Sequence, residues 1–123
     1  MKIFFIIGSI LSCLTVIMGA FGAHLLKNIL DDYALSIYNK AVLYQIFHSL
    51  AILFNVVIYQ LYPIELIKLS SLLFVIGIFM FSGSLYILAI TGNKALAIIT
   101  PFGGLMFILG WFVLIYVSTN ISM

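Results

Sequence analysis

The hydrophobic positions of this chain fall into four long runs that short polar segments separate. The runs without a charged residue are 3–26, 41–64, 69–93 and 95–123. Each is longer than the roughly 20 residues that a helix needs to cross a bilayer. Such runs are typical of membrane helices rather than of the roughly ten-residue alternating strands of a membrane barrel. The pattern predicts an all-α, polytopic membrane protein with spans at about 3–25, 41–61, 67–90 and 96–118.

Short links join the second run to the third and the third to the fourth. The link 62–68 contains Pro63, and the link 91–94 contains Gly92. These residue types favour tight turns, and a tight turn makes the helices on either side antiparallel neighbours. We therefore predict an antiparallel bundle of four transmembrane helices that forms one domain over residues 1–123.

The link between the first two runs is longer and contains the sequence DDYALSIYNK. Asp31 can cap the free N–H groups at the start of a helix, and Asp32 suits the positive end of the helix dipole. We predict a short interfacial helix over 31–40, between spans one and two. The alternative is a single long second helix that starts at Asp31.

The end of the first run also has features of a signal-peptide cleavage region. Lys2 provides a minimal positive start, and residues 20–23 read Ala-Phe-Gly-Ala. However, the apolar run exceeds the roughly 7–15 residues of a signal peptide, and three further runs follow it. We therefore expect this segment to be retained as the first membrane helix.

Small residues recur along three of the runs at helical spacing. Membrane helices associate through close approach at such residues, because apolar surface gains little by leaving lipid. The recurrent positions are Gly8, Ser12, Thr15, Gly19 and Ala23, then Ser70, Gly77, Ser84 and Thr91, then Ala97, Gly104 and Trp111, with Gly103 and Gly110 one register back. The sevenfold repeat of the last two sets is that of a left-handed bundle. Pro101 predicts either a kink or a place where another chain or a ligand approaches closely.

Polar residues of the four runs are predicted to gather in one half of the bilayer. Tyr44, Gln45 and His48 lie on one side of the second helix. At 1.5 Å per residue, His48 lies about 10 Å below the membrane boundary, level with Ser84 of the third run and slightly deeper than Thr100 of the fourth. The candidate polar cluster consists of His24, Tyr44, Gln45, His48, Ser82, Ser84, Tyr86 and Thr100. The opposite half is expected to be nearly all Ile, Leu, Phe and Val.

Two interpretations of this cluster are open. An ionisable side chain at the depth of His48 is a candidate for function. Alternatively, His48 donates to a hydroxyl of Ser82, Ser84 or Tyr86 and simply holds the second helix to the third. His24 is either the mouth of the cluster or a solvated histidine at the end of a helix.

Composition adds limits on function. Hydrophobic residues make up 66% of the chain and charged residues 7%, which leaves no soluble domain. The lysines lie at the ends of the runs rather than in a patch, so nucleic acid is not an expected partner. The single Cys13 excludes an internal disulfide and a cysteine-based metal site. Lysine placement slightly favours loops one and three, the first and last links, in the cytoplasm.

These residues complete no catalytic arrangement, metal site or cofactor motif, so we expect neither an enzyme nor a bound metal or cofactor. The expected function is a small scaffold that binds lipid, another membrane protein or further copies of itself through the candidate polar cluster. The alternative is a small oligomeric transporter or proton-linked carrier that uses His48, because histidine titrates near physiological pH. Against this alternative, no span has a charged residue at its centre.

Four motifs carry a resemblance to a known family. They are GAFGAH at 19–24, YQIFH at 44–48, FSGSLYILAITG at 81–92, and ITPFGG at 99–104 followed by GW at 110–111. In this combination and order the chain resembles the membrane family called domain of unknown function 423. The resemblance covers essentially the whole chain, with one motif in each helix. It implies a small four-helix protein of the bacterial inner membrane without an established activity.

The marked positions of that family correspond to all eight residues of the candidate polar cluster. The resemblance also marks a set of close-packing positions, some of which the small-residue pattern already contains. These are Gly19, Gly22, Gly83, Pro101, Gly103 and Gly104.

Overall fold

The computed structural model describes residues 1–121 as helices joined by short turns, and this part of the chain contains no strand. The α-helices are α1 (Lys2–His24), α2 (Asp32–Leu61), α3 (Glu65–Gly77), α4 (Ser84–Thr91) and α5 (Thr100–Asn120). A 3₁₀ turn, Leu26–Asn28, follows α1, and a second, Lys94–Ile98, precedes α5. The segment Ile78–Gly83 is a π-helix that joins α3 to α4 without a break.

Four continuous helical segments are long and apolar enough to cross a membrane. Spans one to four are Lys2–Asn28, Asp32–Leu61, Glu65–Thr91 and Lys94–Asn120. The prediction of an all-α membrane protein with four membrane helices is confirmed. Spans one, three and four extend the predicted ranges by a few residues at their ends, whereas span two begins much earlier than predicted.

Span two is one helix of 30 residues, Asp32–Leu61. The Asp31 carboxylate accepts a hydrogen bond from the Ala34 backbone N–H at 2.7 Å, so Asp31 is the N-cap. Residues 31–40 do not form a separate interfacial helix, and the alternative of one long helix is the observed arrangement. The physical reason is that this range contains neither glycine nor proline to interrupt it. At 1.5 Å per residue the helix is about 45 Å long, so its first turns extend beyond the roughly 30 Å hydrocarbon core.

Spans two and three form the centre of the bundle. Span one packs on span two, and span four packs on span three. Accordingly, 39% and 44% of the most apolar stretches of spans two and three are buried, against 17% for spans one and four. The backbones of α2 and α5 remain apart, and these two helices meet mainly through large side chains.

Spans three and four approach most closely at glycines. Gly77 and Gly110 each pack against an aromatic ring of the other span. Gly103 faces the backbone of Phe81, where an added Cβ would overlap main-chain atoms. All three glycines are buried. The sevenfold pattern therefore marks the interface of spans three and four, with the Gly103 register facing inward.

The remaining close-packing candidates differ in the space around them. Gly22 lies directly against the Tyr38 ring. The nearest atoms to an added Cβ are 3.6 Å away at Gly19, 4.0 Å at Gly83 and 3.8 Å at Gly104, which are ordinary contact distances. Pro101 is exposed in the first turn of α5, where its missing N–H costs no helical hydrogen bond. Pro101 therefore starts a helix and does not kink one.

Tyr38 packs span two against span one, and removal of its hydroxyl group tests this contact. Its ring is fully buried, and its hydroxyl donates to the Met18 carbonyl at 2.6 Å. We expect Tyr38→Phe to lower the free energy of unfolding by about 1 kcal/mol, because the ring stays packed while one hydrogen bond within lipid is lost. Titration with SDS in mixed micelles measures this change. Tyr33→Phe is the control, since Tyr33 is 74% exposed, and an equal loss there would contradict the expectation.

Candidate functional site

Gln45 connects three of the four spans. Its Nε2 donates to the Leu11 carbonyl of span one at 3.0 Å, and its Oε1 accepts from the Tyr86 hydroxyl of span three at 2.8 Å. One contact needs a donor and the other an acceptor, so together they define the orientation of the amide. With only 4% of its surface exposed, Gln45 is a fixed internal link between spans one, two and three.

Two serines near the end of the π-helical segment make further links in this half of the bundle. Ser82 is fully buried and donates to the Ala41 carbonyl of span two at 2.8 Å. The Ser84 and Thr100 hydroxyls lie 2.6 Å apart and join span three to span four. The two serines therefore bind different neighbours, one on each side of span three. A π-helical segment frequently occurs at a functional position, because it changes the direction of the side chains that follow it.

His48 uses both of its ring nitrogens. Nδ1 lies 2.8 Å from the Tyr44 carbonyl, which can only accept, so Nδ1 carries the hydrogen. The Trp111 indole N–H can only donate, and it reaches His48 Nε2 at 3.2 Å. These two partners together require a neutral imidazole with its proton on Nδ1. His48 thus links span two to span four as a donor on one side and an acceptor on the other.

Aromatic rings surround the His48 imidazole. The Phe107 ring stacks on it, with 3.5 Å between ring centroids and an interplanar angle of 6°. The Phe74 ring lies 5.3 Å from it on a second side, and the Phe47 ring meets it edge-on at 5.2 Å. His48 is 3% exposed. Apart from its two hydrogen-bond partners, the site is therefore apolar.

The observed partner of His48 corrects one expectation from the sequence. None of the predicted hydroxyls is its hydrogen-bond partner, because each is already engaged elsewhere. Ser82 donates to a carbonyl of span two, Ser84 bonds with Thr100, and Tyr86 donates to Gln45. His48 therefore holds span two to span four rather than to span three.

A groove of about 520 Å³ runs between α2 and α5 beside His48. Its principal lining residues are Tyr44, Phe47, His48, Phe81, Phe107 and Trp111. Leu43 and Ile108 also line it and are exposed, so the groove opens at the lipid-facing surface. Gly104 lies against it with no side chain to fill it. We refer to this feature as the α2/α5 groove.

A second polar group lies deeper along span two, in the half of the bilayer that was expected to be nearly all Ile, Leu, Phe and Val. Asn55 follows His48 by about 10 Å at 1.5 Å per residue. Its Nδ2 donates to the hydroxyls of Ser70 at 3.2 Å and Ser71 at 3.1 Å, and Ser70 donates to the Gly110 carbonyl at 3.0 Å. The Asn55, Ser70 and Ser71 side chains are fully buried. This group links spans two, three and four in the other half of the bundle.

The candidate polar cluster is thus brought together only in part. Gln45 bonds with Tyr86, and Ser84 bonds with Thr100, while Tyr44 contributes its carbonyl to His48 and its ring to the groove. His24 is exposed at the end of α1, away from these hydrogen bonds. Within residues 1–121, no three His, Cys, Asp or Glu side chains converge as metal ligands do.

Two residues of span four that line the site, Phe107 and Trp111, are missing from the predicted cluster. The sequence pattern places Trp111 in a packing repeat and in a family motif, and Phe107 in neither. One signal was present: Trp111 is the only tryptophan and lies within an apolar run, where its N–H needs an acceptor from the protein because no water is available.

Comparison with known proteins finds one matching family and several relatives of this chain. The family described as protein of unknown function (DUF423) matches residues 18–104. A UPF0382 membrane protein of Staphylococcus aureus (strain bovine RF122 / ET3-1) is 46% identical over 115 residues, which cover 94% of this chain and 93% of that protein. The UPF0382 membrane protein YwdK of Bacillus subtilis is 38% identical over 122 residues, or 98% of each chain. A UPF0382 membrane protein of Haemophilus influenzae is 43% identical over 103 residues, covering 84% of this chain and 82% of its own. No solved structure matches the chain.

Proposed function

This chain belongs to the DUF423 family of proteins of unknown function, as its motifs predict, and we propose that it is a small membrane scaffold that binds a lipid chain in the α2/α5 groove. The buried polar groups hold the spans in a fixed arrangement, and the groove binds the lipid chain, which we call the guest. One observation carries the proposal: α2 and α5 meet through aromatic side chains beside an open groove of about 520 Å³. In this proposal the protein is not an enzyme, and it lies in the cytoplasmic membrane with loops one and three inside.

The polar groups beside the groove support a structural role within such a scaffold. Gln45, Ser82, Ser84 and His48 all form hydrogen bonds with residues of other spans. Hydrogen bonds between membrane helices contribute about 0.6 kcal/mol each on average. Several such bonds can therefore hold α2 and α5 at the separation that leaves the groove open.

The groove itself suits an apolar guest. Its volume lies within the roughly 300–1,000 Å³ range of small-molecule sites, which are mostly lined by hydrophobic and aromatic side chains. Its rim faces the surface that lipid covers, so a chain enters it without crossing water. The His48 imidazole presents a ring already engaged at both nitrogens. Nothing in this lining therefore favours a charged guest within the groove.

The alternative of a proton-linked carrier has less support from the geometry of His48. Protonation of Nε2 would break the hydrogen bond from Trp111 and place a charge among aromatic rings. A relay also needs further ionisable groups along its path, and the charged residues of this chain all lie at or near the ends of the spans. We therefore favour the scaffold over the carrier.

Trp111 allows a direct test of lipid in the groove, because it is the only tryptophan and lines the groove. In vesicles that contain lipids brominated along the acyl chain, bromine atoms in contact with an indole quench its fluorescence. We expect Gly104→Leu to reduce this quenching, because the added side chain projects into the groove and occupies the position of the guest. Steady-state fluorescence at increasing fractions of brominated lipid provides the measurement.

Gly83→Leu is the matched control. Gly83 lines a smaller cavity of about 200 Å³ between α1 and span three, away from Trp111, and its added Cβ also has no close neighbour. This control is expected to keep the quenching of the unaltered protein. Equal quenching in the Gly104→Leu variant and the unaltered protein would refute lipid occupancy of the groove.

A further inference from the structure

Two cavities lie between the α2/α5 groove and the membrane surface, and each adjoins the next through shared lining residues. The first, of about 510 Å³, is lined by Lys40 and shares Phe81 with the groove. The second, of about 620 Å³, is lined by Lys94 and shares Tyr33 and Ala97 with the first. We refer to these as the Lys40 cavity and the Lys94 cavity. The groove and the two cavities thus follow one another from the bundle to the surface, and we refer to the three together as the depression.

Polarity changes along this depression. The surface end carries the two lysines together with the hydroxyl groups of Tyr33, Ser36 and Thr100. The inner end is the aromatic groove. A phospholipid has the same distribution of polarity, with a charged headgroup joined to apolar chains. Its headgroup therefore suits the surface end of the depression, and its chains suit the aromatic groove.

The charges at the surface end favour an anion. Lys40 and Lys94 are exposed, and among residues 1–121 the one ion pair joins Lys68 to Glu65 on the opposite side of the membrane. Asp31 also lines the Lys94 cavity, but its carboxylate caps α2 by accepting from Ala34. The other charged groups on this side are Asp32 and Lys27, and neither lines these two cavities.

The distances along the helices fit one leaflet. His48 follows Lys40 on α2 by eight residues, or about 12 Å at 1.5 Å per residue. Half of the roughly 30 Å hydrocarbon core is about 15 Å. A lipid whose phosphate lies at the two lysines therefore has its chain at the level of the α2/α5 groove without leaving its own leaflet.

We propose that the guest of the groove is an anionic glycerophospholipid whose phosphate binds Lys40 and Lys94 and whose acyl chain lies in the α2/α5 groove. This inference rests on the proposed function and adds the class of lipid. Each lysine near a membrane surface raises the binding constant for an anionic lipid about fivefold. The two lysines together therefore select an anionic lipid over a zwitterionic one.

Trp111 quenching tests this selection in the full-length protein. We compare vesicles of unlabelled phosphatidylcholine that contain equal fractions of either chain-brominated phosphatidylglycerol or chain-brominated phosphatidylcholine. We expect phosphatidylglycerol to quench at lower mole fraction in the unaltered protein. The double variant Lys40→Gln/Lys94→Gln is expected to quench equally with both lipids, while its folding remains intact because both side chains are exposed.

Two single variants control for general attraction to the membrane surface. Lys27→Gln removes a charge from the same side without altering either cavity, and Lys68→Gln removes one from the opposite side. Both are expected to keep the preference for phosphatidylglycerol. A preference that persists in the double variant, or that Lys27→Gln abolishes equally, would overturn the lysine site.

The remaining outcomes separate this inference from the proposed function. Equal quenching by both lipids in the unaltered protein, together with loss of quenching in Gly104→Leu, overturns the anionic selection and leaves the lipid-binding groove standing. Quenching that neither Gly104→Leu nor the double variant changes overturns both proposals. Absence of quenching by either lipid also overturns both proposals, because no acyl chain then contacts Trp111.

Discussion

Replacement of Gly103 by alanine is expected to lower the free energy of unfolding by about 3 kcal/mol, at the upper end of the usual cost of overpacking. The added methyl group would overlap the backbone nitrogen and Cα of Phe81 and the carbonyl carbon of Met80. A backbone clash cannot be relieved by a change of side-chain rotamer, so spans three and four must move apart. This movement also strains the contact between Ser84 and Thr100. SDS titration of the purified protein measures the loss.

The neighbouring glycine provides the matched control for this substitution. Gly104→Ala adds the same methyl group one residue later on the same helix, where the nearest atom is 3.8 Å away. We expect the free energy of unfolding to change by less than about 0.5 kcal/mol, as for substitutions away from packed sites. If both variants lose the same stability, the contact between Gly103 and the Phe81 backbone does not explain the loss, since the gain in helix propensity from glycine to alanine would stabilise both.

Replacement of His48 by alanine is expected to lower the free energy of unfolding by about 2–3 kcal/mol. When membrane helices pack, a side chain leaves lipid rather than water, so the hydrophobic effect contributes little to its burial. The cost of removing the imidazole therefore comes from the lost stacking on Phe107 and from the hydrogen bond that Trp111 loses. The indole N–H then has no acceptor in an apolar site. SDS titration again gives the stability change, and the emission of Trp111 reports the altered surroundings of the indole.

The second histidine of the chain is the control for His48. His24→Ala removes an exposed side chain at the end of α1, and no measurable loss of stability is expected. His48→Phe separates the two contributions, because phenylalanine keeps a ring against Phe107 and removes the acceptor. We expect His48→Phe to lower the free energy of unfolding, but by less than His48→Ala does. Full stability in His48→Ala would show that the imidazole is not part of the internal network.

The number of spans and their antiparallel arrangement could be predicted because they depend on local properties of the chain. A segment in hydrocarbon must satisfy its own backbone hydrogen bonds, so a long apolar run without charge has few structures available other than a helix. The start of span two was less certain. Asp31 caps a short interfacial helix and a long membrane helix in the same way, and the uninterrupted sequence that follows it decided between the two.

The inner face of span two could be predicted in part, whereas the partners on that face could not. Helical spacing placed Tyr44, Gln45 and His48 on one inner side; Gln45 and His48 are buried there, whereas Tyr44 is 39% exposed. Their partners depend on how far each span is rotated and displaced relative to its neighbours. The π-helical segment changes that rotation within span three, and no residue pattern in the sequence predicts this segment.

The sequence by itself therefore determined the membrane architecture, the ends of most helices and the small residues where spans three and four approach. These features follow from apolar length, capping and helical periodicity, which act within one segment. Only the tertiary structure decided that Trp111 is the partner of His48, that Asn55 forms a second polar group, and that a groove remains between α2 and α5. Such features arise where side chains of separate helices meet, and in lipid that meeting is governed by the fit of their shapes rather than by the polarity of either helix alone.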